Sequence, residues 1–503
     1  MEKLFHSITE IIFSPSDEFT SQQLHAAIAT GKVRQIVRGI YTRNLSDPIE
    51  VIARRHWFII MGHLFPGAIV SHRSALQGGP NAEGELFLTY SYTRKIKLPG
   101  LTIRLLEGPK PTPEDPVFMQ NLYRSSDARA LLENLQPSRS RTTVSKCLPQ
   151  TEIENYLDKI CRIHGPIALN KIRDQANKIA ELLHMQTEFK LLNQIISAIL
   201  GTHDVKDTLT SPAALASAAG KPYDSYRVQL FQTLFAALYR CVFVKRSANI
   251  HNPSSWKTLA FFDAYFSNYI EGTQFAIEEA EQIIFDNQII EQRSSDSHDI
   301  RGTYEVLVNR KQMQQSLQSF LHFIELLKTR HNNIMFGRPT INPGQFKVAV
   351  NRAGNTEFVA PELVLGTLEQ GFNYLQQLTD PLARAMFMMF LITEVHPFSD
   401  GNGRIARIMM NAELAHGQCS HIIIPTVFRE NYILALRALS RQHRCSPYIK
   451  MLDKAQAFVT CLDFSDYNTT KQQLIQANAF QEPEEAMLRF PQGIMPIYSD
   501  ISE

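Results

Sequence analysis

Residues 396–407, HPFSDGNGRIAR, bring a base, an acid and two guanidinium groups into one short segment. His396 is able to take a proton near neutral pH, and Asp400 offers a carboxylate of the kind that binds Mg²⁺. Arg404 and Arg407 lie three positions apart, so they share one side of a helix, and guanidinium groups match phosphate oxygens. The Gly-Asn-Gly sequence before them favours a loop that presents backbone N–H groups to an anion. These residue types predict a site that binds phosphates and removes a proton.

Two helices must position this segment. Asp380 followed by proline predicts a helix start, and the apolar residues 382–395 predict a buried helix. That helix should end near His396, because a residue before proline is displaced from the helical region. A second helix is predicted from about Asn402, with apolar residues at i, i+3, i+4 and i+7. The loop between them therefore lies at a helix N-terminus, where the site is expected to transfer part of a nucleotide to a hydroxyl.

Composition limits the kind of protein that carries this segment. The 503 residues are 44% hydrophobic and 20% charged, with a formal net charge of +2, as expected for a globular protein of several domains. The longest apolar run, 385–393, is far shorter than the ~20 residues of a membrane span, and the N-terminus lacks the apolar core of a signal peptide. The six cysteines contain no C-x-x-C, which argues against a disulfide framework or a zinc site. We expect a cytoplasmic protein without a membrane partner; secretion as an effector by another route stays open.

The segment HPFSDGNGRIAR resembles the signature of the Fic family, H-P-F-x-(D/E)-G-N-G-R-x-x-R, at every fixed position. Residues 337–364 resemble the β-hairpin flap that holds a target segment in that family, and residues 421–439 resemble the helices that border its nucleotide site. The resemblance implies a helical core over 255–455. It also implies transfer of AMP from ATP, with Mg²⁺, to a Ser, Thr or Tyr hydroxyl of a target protein.

The same resemblance implies a role for each residue of the segment. His396 would be the general base and Asp400 the Mg²⁺ ligand. The nucleotide would be bound by Phe398, Gly401, Asn402, Gly403, Arg404 and Arg407, with Phe398 acting mainly as a buried anchor of the loop. A variant branch, typified by Doc, transfers phosphate and carries lysine where this sequence has Gly403, so this departure favours AMP transfer.

A second group of residues lies upstream, in the sequence SNYIEG at 267–272. Ser267 and Glu271 are four apart and share a helix face, and Gly272 is expected to let another backbone approach closely. The segment resembles the inhibitory motif (S/T)-x-x-x-E-(G/N) of the second Fic class. The resemblance implies that Glu271 pairs with Arg407 and keeps it from the γ-phosphate. In some relatives the same glutamate positions a water that removes AMP from modified targets.

The N-terminal region has a different pattern. Thr20 is a candidate N-cap for a helix over 21–31, and residues 32–44 alternate like two strands with a turn at Gly39. A helix followed by a short basic hairpin is typical of a winged helix-turn-helix. The sequences RGIY and AIVSHRSAL resemble the AbiEi-type antitoxin regulators, and this resemblance implies DNA binding.

Charge supports that interpretation, because residues 32–110 hold twelve Lys and Arg against five Asp and Glu. A local excess of this kind is expected of a surface that contacts the phosphate backbone. The predicted contacts to base edges are Gln22, Gln23 and His25. The predicted contacts to phosphates are Arg34, Arg38, Arg43, Arg94, Lys95 and Lys97. The target protein would then be one that itself sits on nucleic acid, while a solvated basic face or a protein-docking module stays open.

The chain is thus predicted to be a mainly α, multidomain protein. The predicted parts are a winged-helix module (1–60), a small mixed α/β extension (61–145), a helical domain (150–250), a Fic domain with a β-hairpin flap (255–455, including an inhibitory helix at 261–275) and a C-terminal tail (456–503). Residues 293–302, RSSDSHDIRG, are expected to form an exposed loop, and histidines other than His396 and His72 are expected to be ordinary core or surface residues.

Three functions stay open from the sequence. The first is an autoinhibited protein adenylyltransferase that also removes AMP. The second is a DNA-binding regulator that uses the Fic core as a nucleotide sensor. The third is a Fic transferase that moves another nucleotide or phosphocholine. The intact His396 favours catalysis, and a homodimer is left open as the assembly.

Overall fold

The computed structural model describes residues 10–14, 20–138, 144–202, 208–248, 250, 252–354, 356–490 and 499. The chain divides into two compact units, Met1–Gly220 (the N-terminal unit) and Lys221–Glu503 (the C-terminal unit). The predicted mainly helical fold is confirmed. Within the described residues, no helix combines the length and the apolar character that crossing a membrane requires.

The N-terminal unit begins with a small antiparallel sheet and continues with a mixed sheet and helices. Its strands are β1 (Ile11–Phe13), β2 (Arg34–Val37), β3 (Ile40–Thr42), β4 (Ile69–Val70), β5 (Glu85–Tyr90), β6 (Arg94–Leu98), β7 (Leu101–Glu107) and β8 (Tyr123–Arg124). Its helices are α1 (Ser21–Ala29), α2 (Ile49–Arg55), α3 (Trp57–Leu64), α4 (His72–Gln77), α5 (Asp127–Asn134), α6 (Gln150–His164), α7 (Pro166–Leu183), α8 (Gln186–Ile199) and α9 (Pro212–Ala218). The first three strands pair in the order β1-β3-β2, and the others form a five-stranded sheet in the order β6-β7-β5-β4-β8.

The first strands and α1 follow the sequence pattern closely. The Thr20 hydroxyl accepts a hydrogen bond from the Gln23 N–H, and the Gln23 side chain accepts one from the Thr20 N–H, so α1 starts with a capping box. Gly39 turns the chain between β2 and β3 with a φ of +86°. A helix-turn-helix needs a pair of helices, and the described residues contain α1 alone between β1 and β2. Residues 1–9 and 15–19 lie outside the described part, so the winged-helix assignment stays a prediction.

The predicted boundary at residue 60 falls inside α3. Apolar residues from β1, β2 and β3 share one core with α2, α3 and the mixed sheet, as Ile11, Ile36, Ile60 and Leu86 do. The described residues between 10 and 60 therefore share a core with the extension, because the short hairpin cannot bury its apolar face alone.

The C-terminal unit is built from helices around one large apolar core. Its helices are α10 (Ser225–Arg240), α11 (Pro253–Ile270), α12 (Ile277–Phe285), α13 (Ser294–Val308), α14 (Arg310–Met313), α15 (Phe320–Met335), α16 (Val364–Leu375), α17 (Pro381–Val395), α18 (Asn402–His416), α19 (Arg429–Gln442), α20 (Cys445–Thr460) and α21 (Tyr467–Gln476). A hairpin of two short strands, β9 (Arg352–Ala353) and β10 (Thr356–Glu357), stands where the flap was predicted.

Two predicted boundaries and one predicted loop differ from the structure. The unit begins near residue 221, because Leu230, Phe231 and Leu234 of α10 belong to its core, and not to that of the preceding helices. The segment 293–302 was predicted to be an exposed loop but forms the start of α13, where Asp299 is completely buried. The predicted tail at 456–503 contains the end of α20 and all of α21, since Phe458, Leu474 and their neighbours complete the core.

Candidate active site

The helices α17 and α18 present the motif loop as the sequence predicts. The Asp380 carboxylate accepts hydrogen bonds from the N–H groups of Leu382 and Ala383 at the start of α17. The helix ends at His396, whose backbone lies in the left-handed region with a φ of +53°. This conformation costs free energy for a residue with a side chain, and it turns the chain into the loop.

The His396 ring lies where it can act as a base. It stacks on Phe358, just after β10, with 3.8 Å between ring centroids and an angle of 8° between the planes. Nδ1 lies 3.3 Å from the Thr393 carbonyl oxygen, which can only accept, so Nδ1 carries the proton and Nε2 keeps its lone pair. Burial, assisted by the positive charge of Lys347, lowers the pKa of His396 to about 4. The ring is therefore neutral at pH 7, as a general base must be.

Two residues expected at the nucleotide lie beneath the loop. The Phe398 side chain is completely buried and stacks on His331 at 3.6 Å between centroids. The Asn402 amide accepts from the Phe398 N–H at 2.9 Å and donates to the Phe398 carbonyl at 2.8 Å. Phe398 thus anchors the loop, as expected. The Asn402 side chain also fixes the loop shape, because both ends of its amide are already hydrogen-bonded.

The N-terminus of α18 forms an anion cradle between two glycines. No side chain caps this helix N-terminus, so its first N–H groups point toward the loop without a side-chain acceptor. Gly401 has a φ of +74°, and a Cβ there would lie 2.7 Å from the Met335 sulfur. A Cβ on Gly403 would lie 2.0 Å from Oε1 of Glu271. The positive φ favours glycine at Gly401, and at Gly403 the missing side chain leaves room for the Glu271 carboxylate.

Arg407 is held by the end of α11. Its Nη2 lies 2.8 Å from Oε1 of Glu271 and donates to the Ser267 carbonyl at 2.8 Å, while Nε donates to the Ser267 hydroxyl at 3.0 Å. The structure thus brings Ser267 and Glu271 onto one face, next to the motif. Gly272 serves another purpose than the one expected. Among the described residues other than its chain neighbours, no atom lies within 4 Å of a Cβ built there, and its φ of +89° ends α11 in the left-handed conformation that glycine favours.

Arg404 is held by a carboxylate that the sequence analysis missed. Its Nη1 lies 2.5 Å from Oδ2 of Asp299 on α13, and the same oxygen accepts from Nε of Arg338 at 2.8 Å. Arg338 also reaches Asp296 at 2.8 Å. These acids lie in the segment predicted to be a loop. Their spacing of three, with Thr303 four positions further on, is a helical pattern that could have revealed them.

His331 is a second missed residue. Its Nδ1 accepts from the Gly344 N–H at 2.9 Å, so Nε2 carries the proton and donates to the Asp400 carbonyl at 2.9 Å. Burial lowers the pKa of His331 to about 4, so the ring is neutral. His331 continues the stripe of Phe323 and Leu327 at intervals of four, and this position on an apolar face was the available signal.

Asp400 is exposed beside the N-terminus of α18. Its side chain is 51% exposed, and its Oδ1 accepts from the Gly401 N–H at 2.7 Å. Within the described residues, no three His, Cys, Asp or Glu side chains cluster closely enough to hold a metal ion by themselves. A single outward carboxylate beside a phosphate cradle fits Mg²⁺, which usually keeps waters and shares one or two carboxylates with its nucleotide.

Some side chains predicted to contact DNA are exposed, and others are hydrogen-bonded or half-buried within the protein. Gln22, Gln23 and His25 are exposed on α1, although the Gln23 side chain also closes the capping box. Arg34 was predicted to contact phosphate, but its guanidinium donates to the carbonyls of Asn44 and Asp47. Arg34 is therefore engaged within the hairpin region, and Arg43 is half-buried.

The remaining basic side chains predicted to contact DNA are exposed. These are Arg38 in the β2-β3 turn and Arg94, Lys95 and Lys97 on β6. Strand β6 is an edge strand of its sheet. Charged residues on an edge strand also prevent pairing between sheets. The side chains on β6 therefore fit either DNA contact or protection of the sheet edge.

Comparisons with known proteins address the motif region. Residues 321–414 match the model of the Fic/DOC family. The chain is 26% identical over 184 residues to protein adenylyltransferase fic-1 of Caenorhabditis briggsae, covering 35% of this chain and 36% of that protein. It is 24% identical over 241 residues to protein adenylyltransferase Fic of Drosophila persimilis, covering 44% and 46%. The solved structure of Fic-1 from C. elegans aligns over 61% of this chain and 93% of that chain, at 17% identity and a TM-score of 0.35.

The chain therefore spans less than half the length of these two relatives. The family match includes the flap, α17, the motif loop and most of α18, which together present His396 and the anion cradle. The similarity to the Fic/DOC family thus lies in residues 321–414, which include the motif loop.

Proposed function

We propose that the C-terminal unit is a protein adenylyltransferase, which transfers AMP from ATP to a Ser, Thr or Tyr hydroxyl of a target protein. The observation that carries this proposal is the neutral His396, with Nε2 free to accept a proton, beside an uncapped helix N-terminus and two buried arginines. The names of the relatives, both protein adenylyltransferases, support the same reaction.

In the proposed reaction, Nε2 of His396 takes the proton of the target hydroxyl. The hydroxyl oxygen then attacks the α-phosphorus of ATP, an O–P bond forms, and the bond to the β-phosphate breaks so that pyrophosphate leaves. The amides at Asn402 and Gly403 lie where they can stabilise the charge that develops on the α-phosphate. Asp400 would hold Mg²⁺, which supplies neutralisation of phosphate charge.

We also propose that Glu271 restrains this activity. Its carboxylate occupies the guanidinium of Arg407, which would otherwise bind the γ-phosphate. The Glu271 side chain is 31% exposed, whereas Arg407 is almost fully buried. A phosphate arriving from solvent can therefore displace the carboxylate without exposing the arginine. With Arg407 occupied, the triphosphate would lack the alignment that in-line attack requires.

The position of Glu271 also favours removal of AMP by the same site. Its carboxylate lies directly against Gly403, at the cradle proposed for the α-phosphate. A carboxylate at this place can orient and deprotonate a water that attacks a modified target. Glu271 would then be both the restraint on transfer and the base for hydrolysis.

For the N-terminal unit we propose DNA binding through exposed basic side chains. Arg38, Arg94, Lys95 and Lys97 project into solvent and can contact phosphates. The target would be a protein that itself sits on DNA, because two ligands of one polymer meet at a high effective concentration. The rival function, a DNA-binding nucleotide sensor, has no need of the proton acceptor at His396.

The proposed transfer is tested by incubating the full chain with α-labelled ATP and a whole-cell lysate, followed by mass spectrometry of labelled proteins. We expect AMP on Ser, Thr or Tyr side chains of a small set of proteins. Labelling by another nucleotide or by phosphocholine donors, with none from ATP, would replace the proposed substrate. ATP binding without any modified protein would favour the sensor.

A further inference from the structure

Arg227 links the flap to the catalytic helix from outside the family domain. It lies on α10, almost a hundred residues before the region that matches the family. Its Nη1 pairs with the Glu394 carboxylate on α17, two residues before His396, and its Nη2 donates to the Glu357 carbonyl on β10 at 2.8 Å. Both Arg227 and Glu394 are buried. One guanidinium thus bonds the two elements that flank the His396 ring.

The hydrogen bond from Arg227 to the Glu357 carbonyl lies next to the residue that covers the His396 ring. The next residue, Phe358, stacks on His396, and its N–H donates to the Asn351 carbonyl at 3.2 Å. The Asn351 side chain in turn donates to the Phe398 carbonyl of the motif loop at 2.9 Å. The strands β9 and β10 have two residues each. A hairpin of this size is not stable alone, so its position depends on such anchors.

The Glu394 carboxylate is bound at both of its oxygens, one of them by Arg227. Its second oxygen accepts from the Ser440 hydroxyl on α19 at 2.6 Å. The carboxylate therefore joins α10, α17 and α19, and the arginine extends this connection to the flap. A buried ion pair alone is weak evidence for anything beyond packing. Here the second bond of the arginine goes to a flap carbonyl beside the catalytic ring, which a packing role does not require.

We propose that Arg227 is a positioning residue, which holds β10 against α17 so that Phe358 stays on the His396 ring and Nε2 keeps its direction. The effect on reaction rate rests on the proposed function. The effect on the flap and on the ring does not, because it follows from the contacts alone.

Other charged groups near the ring must be counted. Lys347, Glu271 and Asp400 act on His396 from the flap side, α11 and the motif loop. Lys347 donates to the Asn351 side chain at 2.7 Å. Burial lowers the pKa of Lys347 to about 8, and the positive charge of Arg227 contributes to this shift. Loss of Arg227 removes a positive charge and loosens the cover of the ring. Both changes favour the protonated ring, so the pKa of His396 would rise from about 4 toward its ordinary 6.5.

The test uses the full chain with Arg227→Met, Arg227→Gln and Arg227→Lys. The matched control is Arg246→Met, because Arg246 is equally buried in the same unit and pairs with Asp453 at 2.7 Å, away from the flap. Three quantities are measured: hydrogen exchange of the flap amides, titration of the His396 ring by NMR, and the rate of self-labelling from α-labelled ATP.

We expect Arg227→Met and Arg227→Gln to raise flap exchange and the pKa of His396. The maximal labelling rate should fall about 10- to 100-fold at an unchanged half-saturating ATP concentration, because misplaced groups slow reaction more than binding. Arg227→Lys should recover part of the loss. If Arg227→Met does not fold, Arg227→Gln and Arg227→Lys provide the test of the positioning role.

Two results would overturn the proposal. One is wild-type flap exchange and wild-type His396 titration in the folded Arg227 variants. The other is an equal change in Arg246→Met, which would make the effect one of general stability. A Glu271→Gly chain that labels neither itself nor any lysate protein, combined with the expected changes in exchange and titration, would reject the proposed reaction and support the positioning role.

Discussion

His72 in the N-terminal unit and His396 in the C-terminal unit have nearly the same positive φ, +52° and +53°. Burial lowers the pKa of each to about 4. Their surroundings differ. His72 is 5% exposed, its N–H donates to the Glu133 carboxylate, and its Nδ1 meets the Ser71 hydroxyl at 3.0 Å, all within the core of its unit.

His396 instead borders groups that are directed at a ligand. The N-terminus of α18 and the arginine pair in its first turns follow His396 along the chain, and the Glu271 side chain that pairs with Arg407 is 31% exposed. A positive φ and a pKa lowered by burial therefore occur at a histidine in each unit. They indicate chemistry at His396 because an anion cradle adjoins the ring.

The largest expected difference between the two histidines is in transfer rate. His396→Asn should lower the rate about 10²- to 10⁴-fold, because the general base is lost while the cradle remains. ATP binding, measured by calorimetry, should stay within a few-fold of wild type. Asparagine tolerates a positive φ, so the backbone is spared.

The matched change is His72→Asn, at a residue with nearly the same φ. We expect a lower free energy of unfolding and an unchanged rate of transfer per folded molecule. Equal rate losses in the two variants would mean that the comparison reflects stability and not catalysis.

Release of Arg407 from Glu271 should raise the rate of transfer. Glu271→Gly should raise transfer roughly 10- to 100-fold, since a hydrogen bond to a charged group contributes about 1.5–3 kcal/mol and here becomes available to the γ-phosphate. The control is Glu278→Gly, which removes a carboxylate 3.2 Å from Lys471 in the same unit. A Glu271→Gly protein no more active than the control would show that the pair with Arg407 does not restrain transfer.

The pH dependence gives a smaller difference. A depressed pKa keeps His396 in the neutral form above pH 6.5 and lets it protonate only as the pH falls toward about 4. The value of kcat/KM at pH 5.5 should therefore stay close to its value at pH 7, whereas a histidine of ordinary pKa would lose about tenfold. His72→Asn should leave this profile unchanged. An acid limb near pH 6.5 would mean that the ring is solvated in the working enzyme.

The smallest effect concerns the exposed charge of the N-terminal unit. Lys97→Ala in the full chain should reduce the slope of log binding constant against log salt by about 0.9 for duplex DNA. Lys190→Ala, an exposed lysine on α8 of the same unit, is the control and should leave the slope unchanged. Absence of DNA binding by the wild type at low salt would reject the module's proposed role.

Local signals were sufficient for the helices of the site. The Asp380 cap and the proline after His396 act through neighbouring residues, so the sequence predicts α17, the loop and α18 correctly. Ser267 and Glu271 share a helix face by spacing alone. Their partner, Arg407, lies more than a hundred residues away, and the family resemblance was needed to connect them.

Other features have no local signal. Arg34 bonds to backbone carbonyls, which any sequence provides, so its engagement could not be distinguished from exposure. The polar start of α13 resembles a loop because Ser and Asp favour turns as well as helix N-termini. Asp299 becomes buried only because Arg404 and Arg338 share it. Arg227 reaches the flap from a helix that the motif does not include.

We propose that His396 directs AMP transfer from ATP to protein. The most direct measurement compares ATP labelled at the α-phosphate with ATP labelled at the γ-phosphate, using the Glu271→Gly chain and the same chain carrying His396→Asn. We predict protein labelling from the α position alone, and its loss when His396 is replaced. Label from the γ position, or α label that persists without His396, would contradict the account.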